Sequence, residues 1–184
     1  RSRKPDWYED RYKRMYVALD YGDKIINVED QHKEFFGKNF SVKKNIIEEL
    51  GGFNKNLGRV GDRLVVGEET LIFKYLINKN KKVIYNPDVY LSHMIKDHEL
   101  EVAHLKRYYL DIAHSTYYMA TLNSNKRFLG RPLYIAKMII KFFSKLPFDF
   151  GRCVLKPSDQ EWRYLSLEVG QKLLLVKLWL TKGE

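Results

Sequence analysis

The apolar pattern changes its period near residue 99, and this constrains the fold more than any single residue. From about Glu99 onward the chain is amphipathic at helical spacing. Leu100, Ala103, Leu105, Tyr108, Ile112, Tyr117 and Met119 predict one long helix to about Leu122, broken at Asn123-Ser124-Asn125. Pro132 suits the first position of a second helix, because proline's missing N–H costs nothing there. That helix is expected over Leu133 to Leu146, with Lys137, Lys141 and Lys145 on a polar stripe. A spacer from Pro147 to Pro157 holds Cys153, and a last helix runs from about Gln160 to Leu180.

Before residue 99 the pattern is broken into short pieces. Tyr8, Tyr12, Met15 and Leu19 predict a short helix with one apolar stripe, stopped at Tyr21-Gly22-Asp23. Its aromatics, beside Arg and Lys, read either as packing or as stacking platforms for bases. Phe35 to Val42 reads as a short strand, and Lys43 to Leu50 as a short helix closed by Gly51-Gly52. A polar loop from Phe53 to Asp62 follows, with Phe53 and Leu57 as expected anchors. Gly67-Glu68-Glu69-Thr70 opens a helix carrying Leu71, Ile72, Tyr75 and Leu76, which ends at Asn78-Lys79-Asn80. Lys82 to Tyr85 and Val89 to His93 read as two short strands around an Asn86-Pro87-Asp88 turn. There is no internal repeat.

Composition excludes several classes. With 45% apolar and 30% charged residues the chain is not disordered. Thirty-three Lys and Arg against 23 Asp and Glu leave +10, which predicts an anionic partner: nucleic acid, anionic membrane or phosphorylated ligand. A lone cysteine, Cys153, excludes an intrachain disulfide framework. No apolar run approaches the ~20 residues that span a bilayer. The start, Arg1-Ser2-Arg3-Lys4-Pro5, does not read as a signal peptide.

Few residues have the pattern of a reactive site. Glu68 and Glu69 sit in the first turn of a helix, where its partial positive charge favours anions. Adjacent residues there point about 100° apart, so one carboxylate can face a cleft while the other caps or binds. A carboxylate so placed suits a general base, and equally an ordinary helix start. His93 ends an expected strand and reads as a ligand or as structure. His98, His104 and His114 do not pair at helical metal-ligand spacing, and His32 is isolated. No phosphate-binding glycine loop, dinucleotide fingerprint, Gly-x-Ser-x-Gly, Cys-x-x-Cys or Asp-x-Asp occurs.

The order of features adds what no single one carries. Gly37-Lys38-Asn39-Phe40-Ser41-Val42-Lys43-Lys44 is followed by Glu49-Leu50-Gly51-Gly52-Phe53-Asn54, Leu57-Gly58-Arg59 and Gly67-Glu68-Glu69-Thr70. Tyr85-Asn86-Pro87-Asp88-Val89-Tyr90-Leu91-Ser92-His93 completes the series. Over roughly residues 33–95 this resembles the second half of the catalytic domain of family 2 glycosyltransferases, inverting enzymes with a GT-A fold. The fold implied is α/β: a partial GT-A domain over 1–98 lacking its N-terminal donor-binding half, then a basic amphipathic helical region over 99–184.

The resemblance implies roles. Glu69 stands where the family has the general base, and Glu68 where a carboxylate supports the acceptor. Gly37 and Asn39 line the pocket floor. Arg59 and Asp62 lie in the loop expected to set acceptor choice and are candidate substrate-binding residues. His93 is placed near the donor diphosphate or its metal. The base position holds Glu where the family usually has Asp, which moves the carboxylate by ~1 Å or more, a displacement to which rates are sensitive. A divalent cation, Mg2+ or Mn2+, is expected only with the donor-binding half. The partners implied are a nucleotide-sugar, a carbohydrate or lipid-linked acceptor, and that half or a second copy. Peripheral membrane contact through the C-terminal helices is expected, with Lys172 and Lys177 joining Lys137, Lys141 and Lys145 on the interfacial surface. That places the protein in the cytoplasm or on the inner face of the cell membrane. Two other readings stay open: a non-catalytic assembly or anchoring subunit, and a basic nucleic-acid or protein-binding module. No recognition motif supports nucleic acid.

Overall fold

The computed structural model describes residues 4–30, 33, 36–60 and 63–181. The architecture is mixed α/β and mostly helical, and among the described residues no strand exceeds three residues. The chain divides into two compact units. One comprises Arg1–Val60 with Val66–Leu100, the other Gly61–Val65 with Glu101–Glu184.

The first unit is built from short pieces. Strand β1 (Ile26–Asn27) pairs antiparallel with β4 (Ile84–Tyr85), Ile26 opposite Tyr85. Helix α1 (Lys44–Glu49) and helix α2 (Glu68–Asn78) bury Ile46, Ile72 and Leu76 together. Phe40, Val42, Ile47, Leu50, Tyr75 and Val83 pack around these three. Strand β2 (Gly58–Val60) lies between the two helices in sequence.

Both helices stop where the sequence predicts, for a visible reason. At the end of α1 the Gly51 and Gly52 N–H groups donate to Glu48 O and Ile47 O, with φ of 76° and 91°. At the end of α2, Asn80 (φ 51°) and Lys81 donate to Ile77 O and Leu76 O in the same pattern. Each is a Schellman ending, which needs a left-handed residue just past the helix.

Four expectations for this unit change. The N-terminal helix is a 3-10 turn over Asp10–Tyr16, closed by Val17 at φ 59°. It buries Tyr12 and Tyr16, so those rings pack and are not stacking platforms. Trp7 Nε1 and Tyr16 OH donate to Leu100 O and Glu99 O, tying the N-terminus to a second 3-10 turn at Asp97–Leu100. Residues 36–42 turn, with Asn39 N–H donating to Phe36 O, and form no strand; Phe35 lies outside the described residues. Val89 to His93 forms no strand: Val89 is at a bend and the residues after it have no ladder partner, because a period-2 pattern makes a strand only when another strand pairs with it. Leu57 is buried and anchors its loop, whereas Phe53 is 53% exposed and does not.

In the second unit, strand β3 (Arg63–Val65) runs against helix α3 (Val102–Asn123). Helices α4 (Leu133–Leu155) and α5 (Asp159–Thr181) follow, and α5 packs on both α3 and α4. Ala113, Tyr117, Ala120, Ile135, Leu175 and Leu178 form the core. A hairpin of β5 (Arg127–Phe128) and β6 (Arg131–Pro132) joins α3 to α4 through Leu129 and Gly130, both at positive φ. Arg127 donates to Thr121 O near the end of α3, and Arg131 to Leu180 O near the end of α5. Both guanidiniums therefore sit where helix carbonyls leave negative charge.

Three expectations change here. Pro132 caps α4 from one position before its first residue. The helix does not stop at Leu146 but continues through Pro147 to Leu155. Packing on α5 explains this: Phe150 meets Trp162 edge-on at 5.5 Å, and Cys153 is 2% exposed. Lys172 is not on the surface. Its ammonium donates to Gln171 Oε1 at 2.6 Å and Glu168 Oε2 at 3.3 Å, above the Phe142 ring.

Candidate active site around Glu68 and Glu69

Helix α2 begins at Gly67, whose carbonyl accepts the Leu71 N–H. The turn into it needs φ 136° at Gly67, a conformation that side chains rarely adopt. Glu68 and Glu69 are therefore the first two residues of the helix, as the sequence predicts.

Each carboxylate rests on a glycine. Glu69 Oε1 accepts the Gly37 N–H at 2.8 Å. A Cβ at residue 37 would overlap Glu69 Oε1 and lie 3.0 Å from its Cδ. Glu68 lies against Gly58, where a Cβ would sit 2.8 Å from Oε2, and Gly58 itself is at φ 85°. A side chain at either position would have to push the end of a flexible glutamate aside, and at Gly58 the positive φ is a separate backbone reason for glycine. Burial, and then the neighbouring Glu69 charge, push the Glu68 carboxyl up from its ordinary value.

Three consecutive residues make three separate connections. Gly37 holds Glu69. Lys38 Nζ lies 2.8 Å from His93 Nε2. Asn39 Nδ2 donates to Val89 O at 2.9 Å. The turn at 37–39 thereby links the start of α2 to the stretch 89–93. That stretch is launched by the Asn86-Pro87-Asp88 turn, in which Asn86 Oδ1 accepts the Asp88 N–H and Asn86 O the Val89 N–H.

The His93 tautomer follows from its neighbours. An ammonium only donates, so Nε2 accepts from Lys38 and the ring proton resides on Nδ1. Nδ1 faces Tyr16 O at 3.4 Å, a long contact. Burial, followed by Tyr8 and Glu99, pushes the Tyr16 phenol up to about 12. It therefore stays a protonated donor to Glu99 O at any working pH.

These residues do not fit a divalent metal. Both ring nitrogens of His93 already face other groups, and one of them is a cation. Among the described residues, no three His, Cys, Asp or Glu side chains gather as a metal would need.

Of the residues singled out in the sequence, Gly37 and Glu69 meet directly. Glu68 is beside them, and Asn39 and His93 join through the 37–39 turn. Arg59 contributes backbone to β2, and Asp62 lies outside the described residues. Two participants were missed, Lys38 and Gly58. Lys38 stands between two residues already chosen, and Gly58 stands in the Leu57-Gly58-Arg59 landmark, so both signals were present.

The chain is similar over part of its length to a known protein. Over 104 residues, 54% of this chain, it is 26% identical to a glucosyl-dolichyl phosphate glucuronosyltransferase of Haloferax volcanii. The match covers 32% of that protein, so the chain spans about a third of the length of the curated relative. No protein-family model matches, and no solved structure does. The chain is thus similar, distantly and in part, to a glycosyltransferase.

Proposed function

We propose that this chain is the acceptor-side part of an inverting, family 2 glycosyltransferase with a GT-A catalytic domain. In this reading residues 1–98 belong to that domain and 99–184 form an appended helical region. The observation that carries the proposal is the Gly37–Glu69 contact. It joins two sequence landmarks 32 positions apart and leaves one carboxylate oxygen fixed and the other available. The distant likeness to a glucuronosyltransferase supports the same reading.

Glu69 is the general base. Oε1 is held by Gly37, and Oε2 takes the proton of an acceptor hydroxyl. The acceptor oxygen bonds to the anomeric carbon of a nucleotide-sugar as the bond to the diphosphate breaks on the opposite face. The diphosphate leaves with the electron pair. The Lys38 ammonium, oriented by His93, meets its negative charge. Glu68, readier than an ordinary carboxylic acid to hold a proton, orients the acceptor. Asn39 fixes the pocket floor, and Arg59 and Asp62 belong to the loop that selects the acceptor. The donor's nucleotide, and any Mg2+ or Mn2+, belong to a donor-binding half in a longer chain or a partner. A relative named for a glucosyl-dolichyl phosphate supports a lipid-linked saccharide as acceptor.

The test is Glu69→Gln in the full-length gene product, assayed for sugar transfer from nucleotide-sugars. Transfer should fall by about 100- to 10,000-fold, the usual contribution of a positioned base. Nucleotide-sugar binding, read by calorimetry, should stay unchanged. Transfer that survives the substitution removes Glu69 from the chemistry and leaves the non-catalytic reading.

A further inference from the structure

The 3-10 turn at Asp10–Tyr16 ends in a way the rest of the first unit avoids. Val17, the residue just past it, sits at φ 59°. Every other described residue of that unit at positive φ is a glycine or an asparagine. Left-handed backbone is costly for a β-branched residue, so a valine held there points to a constraint beside it. The Tyr16 carbonyl is beside it, in the same peptide as the Val17 N–H. That N–H donates to Arg14 O, and the Ala18 N–H to Lys13 O, which closes the turn. The last carbonyls of a helical turn have no partner further along it, and Tyr16 O instead faces His93 Nδ1 at 3.4 Å. Tyr16 is also held from its other end. Its hydroxyl donates to Glu99 O at 3.1 Å, and its ring lies 5.8 Å from that of Tyr8. Trp7 Nε1 donates to Leu100 O at 2.9 Å. The N-terminal segment thereby grips residues 93–100 at both ends.

We infer that Tyr16 and Val17 are positioning residues for Lys38, acting through His93. The left-handed Val17 aims the Tyr16 carbonyl at Nδ1. The ring proton stays on Nδ1, and the Nε2 lone pair is presented to the Lys38 ammonium at 2.8 Å. A neutral ring orients this cation without cancelling its charge. A carboxylate in the same place would orient it and neutralise it. Among the described residues no ion pair includes Lys38, so its full charge is left for an anionic group. A main-chain carbonyl suits this task, because no titration or side-chain rotation takes it away. The inference rests on the reading above, in which the anionic group is the departing diphosphate.

The experiment uses the full-length gene product and two readouts. The first needs no sugar transfer. Nitrogen-15 shifts of the histidine rings, with His93→Gln identifying the signals, show which nitrogen holds the proton at about pH 8, above the range in which histidine titrates. The parent should show the Nδ1–H form alone. Val17→Gly should show both forms, and should melt about 1–4 °C higher, because glycine takes this backbone without strain. The second readout is kinetic. Val17→Gly should lower kcat by about tenfold, part of the hundredfold that a misplacement near 1 Å costs, with KM for the acceptor unchanged. Tyr16→Phe, which removes the hydroxyl and keeps the ring, should act in the same direction. Lys38→Met should lose about 100- to 1,000-fold. Adding Val17→Gly to it should lower the rate no further, since residues acting through Lys38 then have nothing to position. A parent with its proton on Nε2, a Val17→Gly variant that melts lower, parental kcat in Val17→Gly and Tyr16→Phe, or a further loss in the double variant overturns the inference. Lys38→Met at the parental rate overturns instead the reading of Lys38 as the group that meets the diphosphate, and with it the kinetic half of the inference. The ring shifts test the other half alone.

Discussion

The two units hold themselves together in different ways. The second has three helices of 22 or 23 residues and a continuous apolar core. The first has helices of six and eleven residues, strands of two or three residues, a small cluster of Ile46, Ile72 and Leu76, and Tyr12, Tyr16, Val28, Leu57 and Phe73 buried elsewhere in it. Around its carboxylate pair and its N-terminus the geometry also depends on single polar contacts: Gly37 to Glu69, Lys38 to His93, Asn39 to Val89, Trp7 to Leu100. Burial is additive and tolerant, since losing one side chain leaves the others in place. Point contacts are not, since each fixes a different atom. Stability should therefore be concentrated in the second unit, and sensitivity of the carboxylate pair in the first.

Substitution at the centre of the helical core should have the largest effect on folding. Leu175 is 1% exposed, and Leu175→Ala should cost about 2–5 kcal/mol, the range for a buried leucine. Hydrogen exchange should show the loss in α3 and α5 while amides of α2 keep their protection. Equal loss in both units would mean that they unfold as one, and the contrast drawn here would fail.

Gly37→Ala probes the opposite case. The new methyl overlaps the Glu69 carboxylate, so either the turn or the carboxylate must move. Moving the end of a flexible side chain at an exposed position costs about 0.5 kcal/mol or less, whereas a shift near 1 Å at a base costs about 100-fold in rate. Transfer by the full-length product should fall far more than its melting temperature implies. A normal rate would separate Glu69 from the geometry described.

The smallest effect belongs to Glu68. Folding raises its carboxyl above the ordinary 4.5, by burial first and then by Glu69. A raised folded value favours the protonated form, so this contribution to stability is present below pH 4.5 and lost as pH rises through the folded value. Glu68→Gln should therefore melt slightly higher than the parent above that window and level with it below. Solvent screening keeps the difference small. A variant less stable than its parent near pH 7 would show that the ionised carboxylate is held by contacts that outweigh its burial.

The sequence was most informative where local chemistry decides structure. Helix ends at Gly51-Gly52 and Asn80 were readable, because only certain residues take left-handed φ cheaply. The start of α2 was readable for the same reason, through Gly67. Strands were not, because Val89 to His93 has strand-like residues and no ladder partner. Pro147 reads as a helix end on propensity alone, yet Phe150 and Cys153 beyond it are carried by α5. Lys172 reads as surface, and its burial depends on Glu168, Gln171 and Phe142 meeting it. The carboxylate pair was found by local pattern. Its union with Gly37, 32 residues away, came only from the order of landmarks, since no periodicity links the two.

The Gly37–Glu69 contact also bears on how such a chain can change over generations. The Glu69 carboxylate fills the space that a side chain at 37 would need, so the acid can shorten alone, while a larger residue at 37 must displace it. An ancestor with a shorter aspartate at 69 would leave space at 37 for a methyl group. Lengthening the acid by one methylene closes that space and binds the glycine to it. From then on a side chain gained at 37 unseats the carboxylate, whereas the acid can shorten again without disturbing the glycine.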